Sequence, residues 1–589
     1  MRYRAALVAA TIMGAALAGC VGDDVWQEGI PDGGSVITEP CNAGEKKCEA
    51  DTLKTCNSAG SRWIVVNCVN AGARCLVIGG VAQCKTTLCQ PDNVSCAKDG
   101  LTTRTCAKDG NSWVNGKACD PKAGQICYGG VCQSACKIEA RNKQNVGCTF
   151  YPVNLDNQRK DKVGVVVSNP NKYPALVTLS DGASSLGSRP VQPGKLEIFI
   201  IPLGKNMLVG SGKQRYAFKL TSTLPIAAYQ FSPQNKAEQR SNDASLLVAR
   251  EALGKVYYAM TTPVALANGR SYVTVVGTEP GTQVTVTPKV STTAGGGVPA
   301  LSPGQPYTAT IGEMDVLQLA TKTKGADMTG TKVKATKPVA VFGGNSCANL
   351  PQNKTYCDHV QEQMFPVETW GKGYLAVKFM PRGKNPEDDW WRIMASEAGT
   401  KVTLSGGTGL PTVPTLGPGQ HFQINTPGQF VVKANKPISV GHYMLGQGAV
   451  SLPLDKSVYN ESFQTPKGCA MSGSYTSMGD PAISVSVPFE QYRKQYIFLT
   501  PDTYRYDFVT VMVPSKKETP QVMIDGKPIP VPLKKIGSTD FRYARFRVSD
   551  GPHTMSGTTP FGIEVHGYDC NVSYAYSGGL SLKVINPIK

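Results

Sequence analysis

The chain has 589 residues, 41% of them hydrophobic and only 18% charged, so it is long enough for several domains with large cores. No stretch after the first twenty residues is apolar and uncharged over the length of a transmembrane helix, so no such helix is predicted there. The formal net charge is +18, and nearly all of it lies after residue 136, where 48 basic and 31 acidic side chains are spread thinly.

The first twenty residues have the pattern of an export signal that ends at a cysteine. Arg2 and Arg4 form a basic start, and residues 5–18 are mostly small and apolar but too few to span a bilayer. The ending Leu17-Ala18-Gly19-Cys20 resembles the lipobox of bacterial lipoproteins. That resemblance implies removal of residues 1–19 and acylation of Cys20, and several acyl chains would anchor the protein stably to a membrane.

The alternative is an ordinary secreted protein whose signal happens to end in cysteine. Val21 follows Cys20 without an adjacent Asp, and by similarity to lipoprotein sorting rules this favours the outer membrane. We therefore expect an exported protein, lipid-anchored at the surface of a Gram-negative bacterium. Residues 20–40 are predicted to be a flexible tether, because they hold five acidic residues, no basic residue and several Gly and Pro breaks.

Two copies of a small cysteine-rich module follow, at residues 41–86 and 87–135. Each has six cysteines, a Trp shortly before the fourth one (Trp63 and Trp113) and a Gly-Gly-Val run before the last. Modules of this size cannot bury enough apolar surface, so three disulfides each are expected, with the pairing left open. The cysteines are Cys41, Cys48, Cys56, Cys68, Cys75 and Cys84 in the first module and Cys89, Cys96, Cys106, Cys119, Cys127 and Cys132 in the second.

Nineteen cysteines less Cys20 leave an even number, which in an exported chain favours disulfides over metal ligation. The chain has only five His residues, and none lies in a ligand-like cluster with Cys. We predict neither a metal site nor a cofactor.

Residues 136–589 have β patterns throughout and repeat about four times, from near Val163. Alternating Val and Thr around Gly-Thr, as in 272–287 and 391–404, predicts a hairpin. A Pro followed by an apolar run and an aromatic residue, as in 225–229, 338–342, 437–443 and 560–568, predicts a strand that begins at the Pro. The expected fold is therefore all-β, with tandem β-sandwich-like repeats preceded by two small disulfide-rich modules.

Five longer strings, in this order, resemble the IgGFc-binding protein N-terminal domain family over roughly residues 136–585. They lie at 147–157, at 229–247, at 357–371, at 479–501 and at 567–580. The resemblance implies a surface or secreted protein that adheres or binds. The family's mammalian namesake is said to bind the Fc region of IgG, but no position here can be matched to an Fc contact, so Fc binding is not expected of this chain.

The remaining cysteines fit structural bridges. Cys136 and Cys148 lie close in sequence, and Cys347 and Cys357 bracket a loop with Pro and Asn. Cys469 and Cys570 are left to pair by elimination, which would close a loop of about 100 residues.

Motifs for catalysis are scarce. Gly210-Ser-Gly-Lys213 lacks the rest of a P-loop, and neither a nucleophile elbow nor a His-Glu-x-x-His motif occurs. His359 near Glu362 is interpreted as a loop anchor beside a disulfide rather than a base or ligand, and 387–389 as a solvated turn rather than a Ca²⁺ site. We predict no catalytic residues.

The basic excess is compatible with an anionic partner, such as lipopolysaccharide, acidic polysaccharide or DNA, or with a merely solvated surface. The Arg and aromatic mixture at 542–547 is expected to form a partly basic outer strand face. The function predicted is adhesion to, or recognition of, an unknown surface protein or polysaccharide, without specific nucleic-acid binding. The alternatives are a structural envelope protein without a ligand, and an enzyme acting on glycans with a cleft of convergent carboxylates.

Overall fold

The computed structural model describes residues 35–71, 73–86, 88–158, 162–202, 204–232, 241–450, 458–459, 478–514 and 520–587. The predicted signal peptide, the lipidation site Cys20, most of the tether and Cys469 lie outside these residues. The chain divides into two compact units, residues 1–117 with 129–131, and residues 118–128 with 132–589.

The protein is nearly all-β, with 49% of its residues in strands and a single α-helix in the described part. That helix is too short to cross a membrane. The division between units falls inside the range predicted for the second cysteine-rich module, because residues 118–128 and 132–135 pack with the β region: the backbone at Gly124, for example, lies against Thr223.

The first unit consists of short antiparallel sheets. In the first module, β1, β4, β3 and β2 form one sheet in that order and β5 pairs with β6; in the second, β7, β8 and β9 form the equivalent sheet. The strands are β1 Ser35–Ile37, β2 Lys46–Glu49, β3 Thr52–Cys56, β4 Trp63–Asn67, β5 Arg74–Ile78, β6 Val81–Lys85, β7 Val94–Cys96, β8 Thr102–Cys106 and β9 Trp113–Ala118, with a 3₁₀ helix at Cys68–Ala71.

The Gly-Gly runs of the two modules turn the terminal hairpins. Gly79 and Gly80 have φ angles of 59° and 86°, and Gly129 and Gly130 have 60° and 80°, a left-handed conformation that other residues adopt at a cost. The hairpin of the second module joins β10 Gln125–Tyr128 to β11 Val131–Ser134, after a 3₁₀ helix at Pro121–Ala123.

Disulfides hold both modules together. In the first module the first cysteine is bonded to the third, the second to the fifth and the fourth to the sixth; in the second module the first-to-third and fourth-to-sixth bonds recur, and Cys96 and Cys127 are each disulfide-bonded. The bonds are Cys41–Cys56, Cys48–Cys75, Cys68–Cys84, Cys89–Cys106 and Cys119–Cys132.

The second unit begins with helix α1, Ala135–Asn142, and strand β12, Gly147–Phe150, and then repeats one strand pattern four times. Repeat 1 contains β13 Val163–Ser168, β14 Ala175–Ser180, β15 Ser185–Val191, β16 Leu196–Ile201, β17 Gly212–Gln214, β18 Lys219–Ser232 and β19 Asp243–Leu246. Repeat 2 contains β20 Val256–Tyr258, β21 Ser271–Gly277, β22 Thr282–Thr287, β23 Tyr307–Ile311, β24 Val316–Thr321, β25 Lys332–Ala335, β26 Val339–Ala348 and β27 Asp358–Gln363.

Repeat 3 contains β28 Gly373–Ala376, β29 Asp389–Ala395, β30 Val402–Ser405, β31 His421–Thr426, β32 Phe430–Ala434, β33 Ile438–Met444 and β34 Ala482–Val485. Repeat 4 contains β35 Arg493–Thr500, β36 Tyr506–Val513, β37 Val522–Ile524, β38 Lys527–Pro528, β39 Lys534–Lys535, β40 Arg542–Val548, β41 Gly551–Asp569 and β42 Val572–Ser577. Further 3₁₀ helices lie at Arg250–Ala252, Val367–Thr369, Gln447–Ala449 and Phe489–Gln491.

In every repeat one central strand is paired with two neighbouring strands in the same arrangement. The central strand is β13, β21, β29 or β36, and its partners are β16 and β18, β24 and β26, β31 and β33, or β40 and β41. All of these pairs are antiparallel. Their apolar residues form a large shared core that extends across all four repeats.

The predicted Gly-Thr hairpins are wrong. The strands on either side of Gly281 and of Gly399 lie in different sheets: β21 and β22 share no ladder, and neither do β29 and β30. The chain crosses at each Gly-Thr from one sheet of the repeat to the other. The alternation of Val and Thr was interpreted correctly as strand, but it does not reveal which strand is the partner.

In each repeat a proline lies where the chain crosses back from the second sheet of the repeat to the sheet that contains the central strand. In repeats 2 and 3 Pro338 and Pro437 precede β26 and β33, as predicted, but Pro225 and Pro560 lie inside the continuous strands β18 and β41. Residues of β18 before Pro225 pair with β14, and those after it with β13. A residue without an N–H fits the point where a strand leaves one ladder and enters the next.

The last strands of the four repeats, β19, β27, β34 and β42, pack against one another. Asp243 on β19 is fully buried there, and its carboxylate accepts backbone N–H groups from Gln361, Ile483 and Ala575 at 3.1, 3.2 and 3.4 Å. One side chain of repeat 1 is thus hydrogen-bonded to each of the other three repeats.

Candidate binding cavity

Two of the three disulfides predicted for the β region are present among the described residues. Cys136 is bonded to Cys148 and Cys347 to Cys357. Cys570 is also disulfide-bonded, whereas its predicted partner Cys469 lies outside the described residues. The Cys136–Cys148 bond connects helix α1 to strand β12, which matters for the cavity described below.

His359 is fully buried and has partners on both ring nitrogens. Its Nδ1 lies 3.0 Å from the carbonyl oxygen of Ser232, to which it can only donate, and its Nε2 therefore accepts from the hydroxyl of Tyr272 at 2.7 Å. Burial lowers the pKa of His359 to about 4, so the ring is neutral at physiological pH. The imidazole has no lone pair left for a metal ion or a substrate.

Glu362, on the same strand as His359, is also fully buried, and its Oε1 accepts the N–H of Val485 at 3.4 Å. Burial raises its pKa well above the usual range. The pair is therefore part of the junction between repeats rather than a surface site.

The acidic segment 387–389 is not the solvated turn that was predicted, because Glu387 and Asp389 are buried and Asp389 begins strand β29. Its carboxylates also do not converge on a common point. Glu387 binds the guanidinium of Arg382, at 2.9 Å from Nε and 2.6 Å from Nη2, while Asp388 is exposed. Asp389 accepts from Nε2 of His442 at 2.7 Å. Two of the three carboxylates are thus occupied by protein cations, which does not fit a Ca²⁺ site.

The basic segment 542–547 lies in strand β40. One of its arginines is hydrogen-bonded within the protein, and another is exposed to solvent. Arg545 donates from Nη1 to the carbonyl oxygens of Lys378 and Phe379, at 3.0 and 2.6 Å, and so joins repeat 4 to repeat 3. Arg547 is exposed, with its guanidinium 4.7 Å from the ring centre of Tyr506. Only part of the predicted basic face is therefore available to a ligand.

Two carboxylates, Asp507 and Asp550, line an open cavity beside Arg547. Burial raises the pKa of Asp507 well above its usual range; the hydrogen bond from Tyr574 lowers it and the charge of Asp550 raises it. Across the described residues, no group of three or more His, Cys, Asp or Glu side chains is arranged to hold a metal ion.

A cavity of about 310 Å³ lies where helix α1, repeat 1 and repeat 4 meet. This volume is at the lower end of the range of small-ligand sites. We call it the Arg493 cavity, and it is lined by Ile126, Ala135, Ile138, Glu139, Gln144, Asn145, Val146, Pro170, Asn171, Pro225, Arg493, Gln495, Tyr496, Ile497 and Gly578.

Helix α1 forms one wall. Ser134 caps it by accepting the N–H of Lys137, and the Cys136–Cys148 bond fixes its first turn against β12. Ala135, Ile138 and Glu139 are spaced by three and four residues, so they lie on one face of the helix and line the cavity together. The wall is thus mostly apolar, with one carboxylate.

The opposite wall comes from repeats 1 and 4. In repeat 1 the amide of Asn171 donates to the carbonyl oxygen of Pro225 at 2.7 Å, which holds two rigid segments together. In repeat 4 the start of β35 contributes Arg493 and Tyr496, and the hydroxyl of Tyr496 accepts the backbone N–H of Arg493 at 2.8 Å. Both walls are held in place by hydrogen bonds that need no ligand.

Arg493 is the one cationic residue among those that line the cavity, and none of the described carboxylates lies within ion-pair distance of it. Its Nη1 donates to Oδ1 of Asn145 at 3.2 Å, and its guanidinium lies 5.9 Å from the ring centre of Tyr496. None of the ion pairs found among the described residues includes Arg493. Burial lowers its pKa, and the nearby Tyr496 and Glu139 oppose this effect without cancelling it, so the charge is partly removed from water and only partly compensated.

Glu139 faces the same cavity but is already committed. Its carboxylate accepts from the side-chain amides of Asn142, at 3.1 Å, and of Gln144. Burial raises the pKa of Glu139, which weakens its ability to neutralise Arg493. The cavity therefore combines a guanidinium without an ion pair, side-chain amides, one carboxylate and apolar walls, a set that can bind an anion.

Sequence reasoning missed this cavity. Arg493 lies in the string 479–501 that carried the family resemblance, but nothing in the string distinguishes it from its neighbour Lys494, which is exposed. To find the cavity, one would need to know that 135–146 packs against residues far along the chain: Asn145 accepts from Arg493, 348 positions later, and from the backbone N–H of Leu580, 435 positions later.

Three comparisons with known proteins bear on this architecture. A family model described as IgGFc binding protein matches residues 243–567. The human IgGFc-binding protein is 25% identical over 436 residues, which covers 72% of this chain but only 7% of the human protein. The crystal structure of a tetra-tandem repeat in the extending region of a large adhesion protein covers 74% of this chain and 99% of that chain at 9% identity, with a TM-score of 0.08, too low to support any argument.

Proposed function

The chain belongs to the IgGFc-binding protein family, and we propose that it is an exported, surface-anchored protein that recognises another surface or matrix component without catalysis. The match of the family model over residues 243–567 carries this proposal, because the family is one of binding proteins. The partner proposed is a surface protein or a polysaccharide. The Fc region belongs to the name of the human relative, and no residue here is assigned to it.

The anchoring part of the proposal depends on the sequence ending at Cys20. Acylation at Cys20 would hold the protein at the outer membrane, and the part of the predicted tether 20–40 that precedes β1 would separate the first module from the lipid surface, since β1 itself pairs with β4 of that module. The disulfides of both modules support export, since such bonds persist in oxidising compartments.

The candidate catalytic side chains are occupied by contacts within the protein, which favours binding over glycan hydrolysis. His359 and Glu362 are buried and hydrogen-bonded within the protein, and the buried carboxyl of Asp507 accepts from the hydroxyl of Tyr574. What remains accessible is a rigid array of four repeats with a ligand-sized cavity.

The proposal is tested by retention of the purified chain from residue 21 onward on isolated cell envelopes. Retention at about 0.05 M and about 0.5 M salt would support recognition through hydrogen bonds and apolar contacts, because the Debye length falls about threefold over this range. Complete loss at the higher salt would favour the electrostatic alternative based on the basic excess. Failure to bind at either salt would favour the structural envelope protein.

A further inference from the structure

We propose that the Arg493 cavity binds a carboxylate carried on an apolar group about the size of one amino-acid residue. This inference rests on the proposed function, to which it adds a ligand class and a site. It begins from charge: the guanidinium of Arg493 is partly removed from water and forms no ion pair among the described residues, and the charge of Glu139 compensates it only in part, so an anionic ligand would be favourable there.

The geometry of the guanidinium supports a carboxylate. Arg493 uses Nη1 for Asn145, which leaves the Nε and Nη2 donors for a ligand. Two parallel N–H donors match the two oxygens of a carboxylate, and such charge-assisted pairs are among the strong hydrogen bonds of proteins. Asn145 itself is held by the N–H of Leu580, so the guanidinium is positioned before a ligand arrives.

A single negative charge fits better than a phosphate or sulfate group. Arg493 is the only cation among the lining residues, and Glu139 lies in the same cavity. A dianion would leave one charge unmatched and would face the carboxylate of Glu139 when that group is ionised.

The apolar walls of the cavity determine which kind of group can carry the carboxylate. Ile126, Ile138 and Ile497 line the cavity, together with the proline rings of Pro170 and Pro225. A volume of about 310 Å³ accommodates a branched aliphatic or aromatic side chain together with its carboxylate, but not an oligosaccharide. The chemistry therefore matches either the C-terminal residue of a polypeptide or a free hydrophobic acid.

The experiment compares N-acetyl-leucine with N-acetyl-leucinamide by titration calorimetry on the whole chain. The two probes have the same shape and differ in charge, so we expect the acid to bind at least about tenfold more tightly than the amide. Equal binding of the two probes, or binding of neither at about 10 mM, a concentration of the order expected for a small weak ligand, would overturn the proposal. This comparison needs no variant, so it does not depend on whether a substitution folds.

Variants then locate the site. Arg493→Gln should abolish the preference for the acid, whereas Lys494→Gln, which removes an exposed positive charge next to it, should leave the preference unchanged. Glu139→Gln should tighten binding of the acid by removing the competing carboxylate. An unchanged preference in Arg493→Gln would overturn the assignment to this cavity.

Two further comparisons are made. The first distinguishes a chain terminus from a free acid as the source of the carboxylate, and the second distinguishes failure of the cavity proposal from failure of the proposed function. An eight-residue peptide ending in Leu should bind more tightly than N-acetyl-leucine if the ligand is a chain terminus, and no more tightly if it is a free acid. Binding of the acid without retention on envelopes would support the cavity and contradict the recognition of envelopes. Retention on envelopes without binding of the acid would contradict the cavity alone.

Discussion

The carboxylate of Asp243 accepts the backbone N–H of Gln361 at 3.1 Å, which connects the last strand of repeat 1 to the last strand of repeat 2. The same carboxylate accepts N–H groups of Ile483 in repeat 3 and Ala575 in repeat 4. Burial raises the pKa of Asp243, and these backbone donors act in the opposite direction. The four repeats are therefore joined through one buried carboxylate, in a junction that also contains other buried polar side chains such as Gln361, Glu362 and Ser484.

Replacing Asp243 by Ala should destabilise the second unit as a whole. The substitution would leave three backbone N–H groups from three repeats buried without an acceptor, at about 1–3 kcal/mol each. We expect the free energy of unfolding to fall by at least about 3 kcal/mol, measured from urea transitions of the whole chain. Asp540→Ala, at an exposed site, is the control and should change it little. A small loss for Asp243→Ala would mean that the junction does not depend on this carboxylate.

The sequence predicted the class of fold from local patterns. Alternating residues in 272–287 correctly predict strands. The predicted hairpin nevertheless fails there, because strand partners are chosen by long-range packing: β21 pairs with β24 and β26, not with β22.

The candidate site was harder to predict from the sequence. His359 was expected to be a loop anchor because it lies beside a cysteine bridge, but it lies on the buried strand β27 and is hydrogen-bonded there. Arg493 could not be assigned, since its position in a cavity with Glu139 comes from the arrangement of helix α1 against the start of β35.

The cysteines should all be oxidised in the exported protein. Seventeen described cysteines are disulfide-bonded, and Cys469 is the predicted partner of Cys570. Alkylation of the unfolded, unreduced chain from residue 21 onward, followed by mass spectrometry, should therefore find no modified thiol. Modification at Cys469 or Cys570 would disprove the pairing by elimination.

The bridge between Cys347 and Cys357 should contribute measurably to stability. It closes a loop with a sequence separation of 10, which corresponds to about 3 kcal/mol in the chain-entropy model. The double variant Cys347→Ser with Cys357→Ser should therefore unfold at lower urea concentration, and reduction of the wild-type chain should reproduce at least that loss. An unchanged transition would show that the loop is already ordered by its neighbours.

Cys20→Ala should prevent lipidation and release the protein or leave it as an unprocessed precursor. The expectation follows from the sequence Leu17-Ala18-Gly19-Cys20, because acylation requires the thiol. Labelling with radioactive palmitate, followed by membrane fractionation, should find the label in the wild-type protein at the outer membrane and no label in the variant. Persistent labelling of the variant would disprove the lipoprotein assignment, and recovery only in the inner membrane would contradict the sorting.

The imidazole of His442 is enclosed on every side at the contact between repeats 3 and 4. Phe379 and Trp391 stack on its two faces, each with ring centres 3.7 Å away. Its Nδ1 lies 2.9 Å from Glu564 and its Nε2 lies 2.7 Å from Asp389. Burial alone would lower its pKa, but the two carboxylates outweigh burial and leave the pKa of His442 raised. The folded state therefore favours the protonated ring.

A raised pKa in the folded state stabilises the protein while the ring is protonated, fully below the unfolded value of about 6.5, and this contribution disappears as the pH rises through the folded pKa. The difference in unfolding free energy between wild type and His442→Gln should therefore be largest near about pH 6 and shrink toward about pH 9, as urea transitions across this range would measure. His421, whose pKa burial lowers to about 4, supplies a contrast of opposite sign, because near about pH 6 its ring is protonated mainly in the unfolded chain; the wild-type advantage over His421→Gln should therefore grow slightly from about pH 6 and level off above about pH 7.5. A difference for His442→Gln that stays constant over that range would mean that the ring acts through packing between Phe379 and Trp391 rather than through its charge.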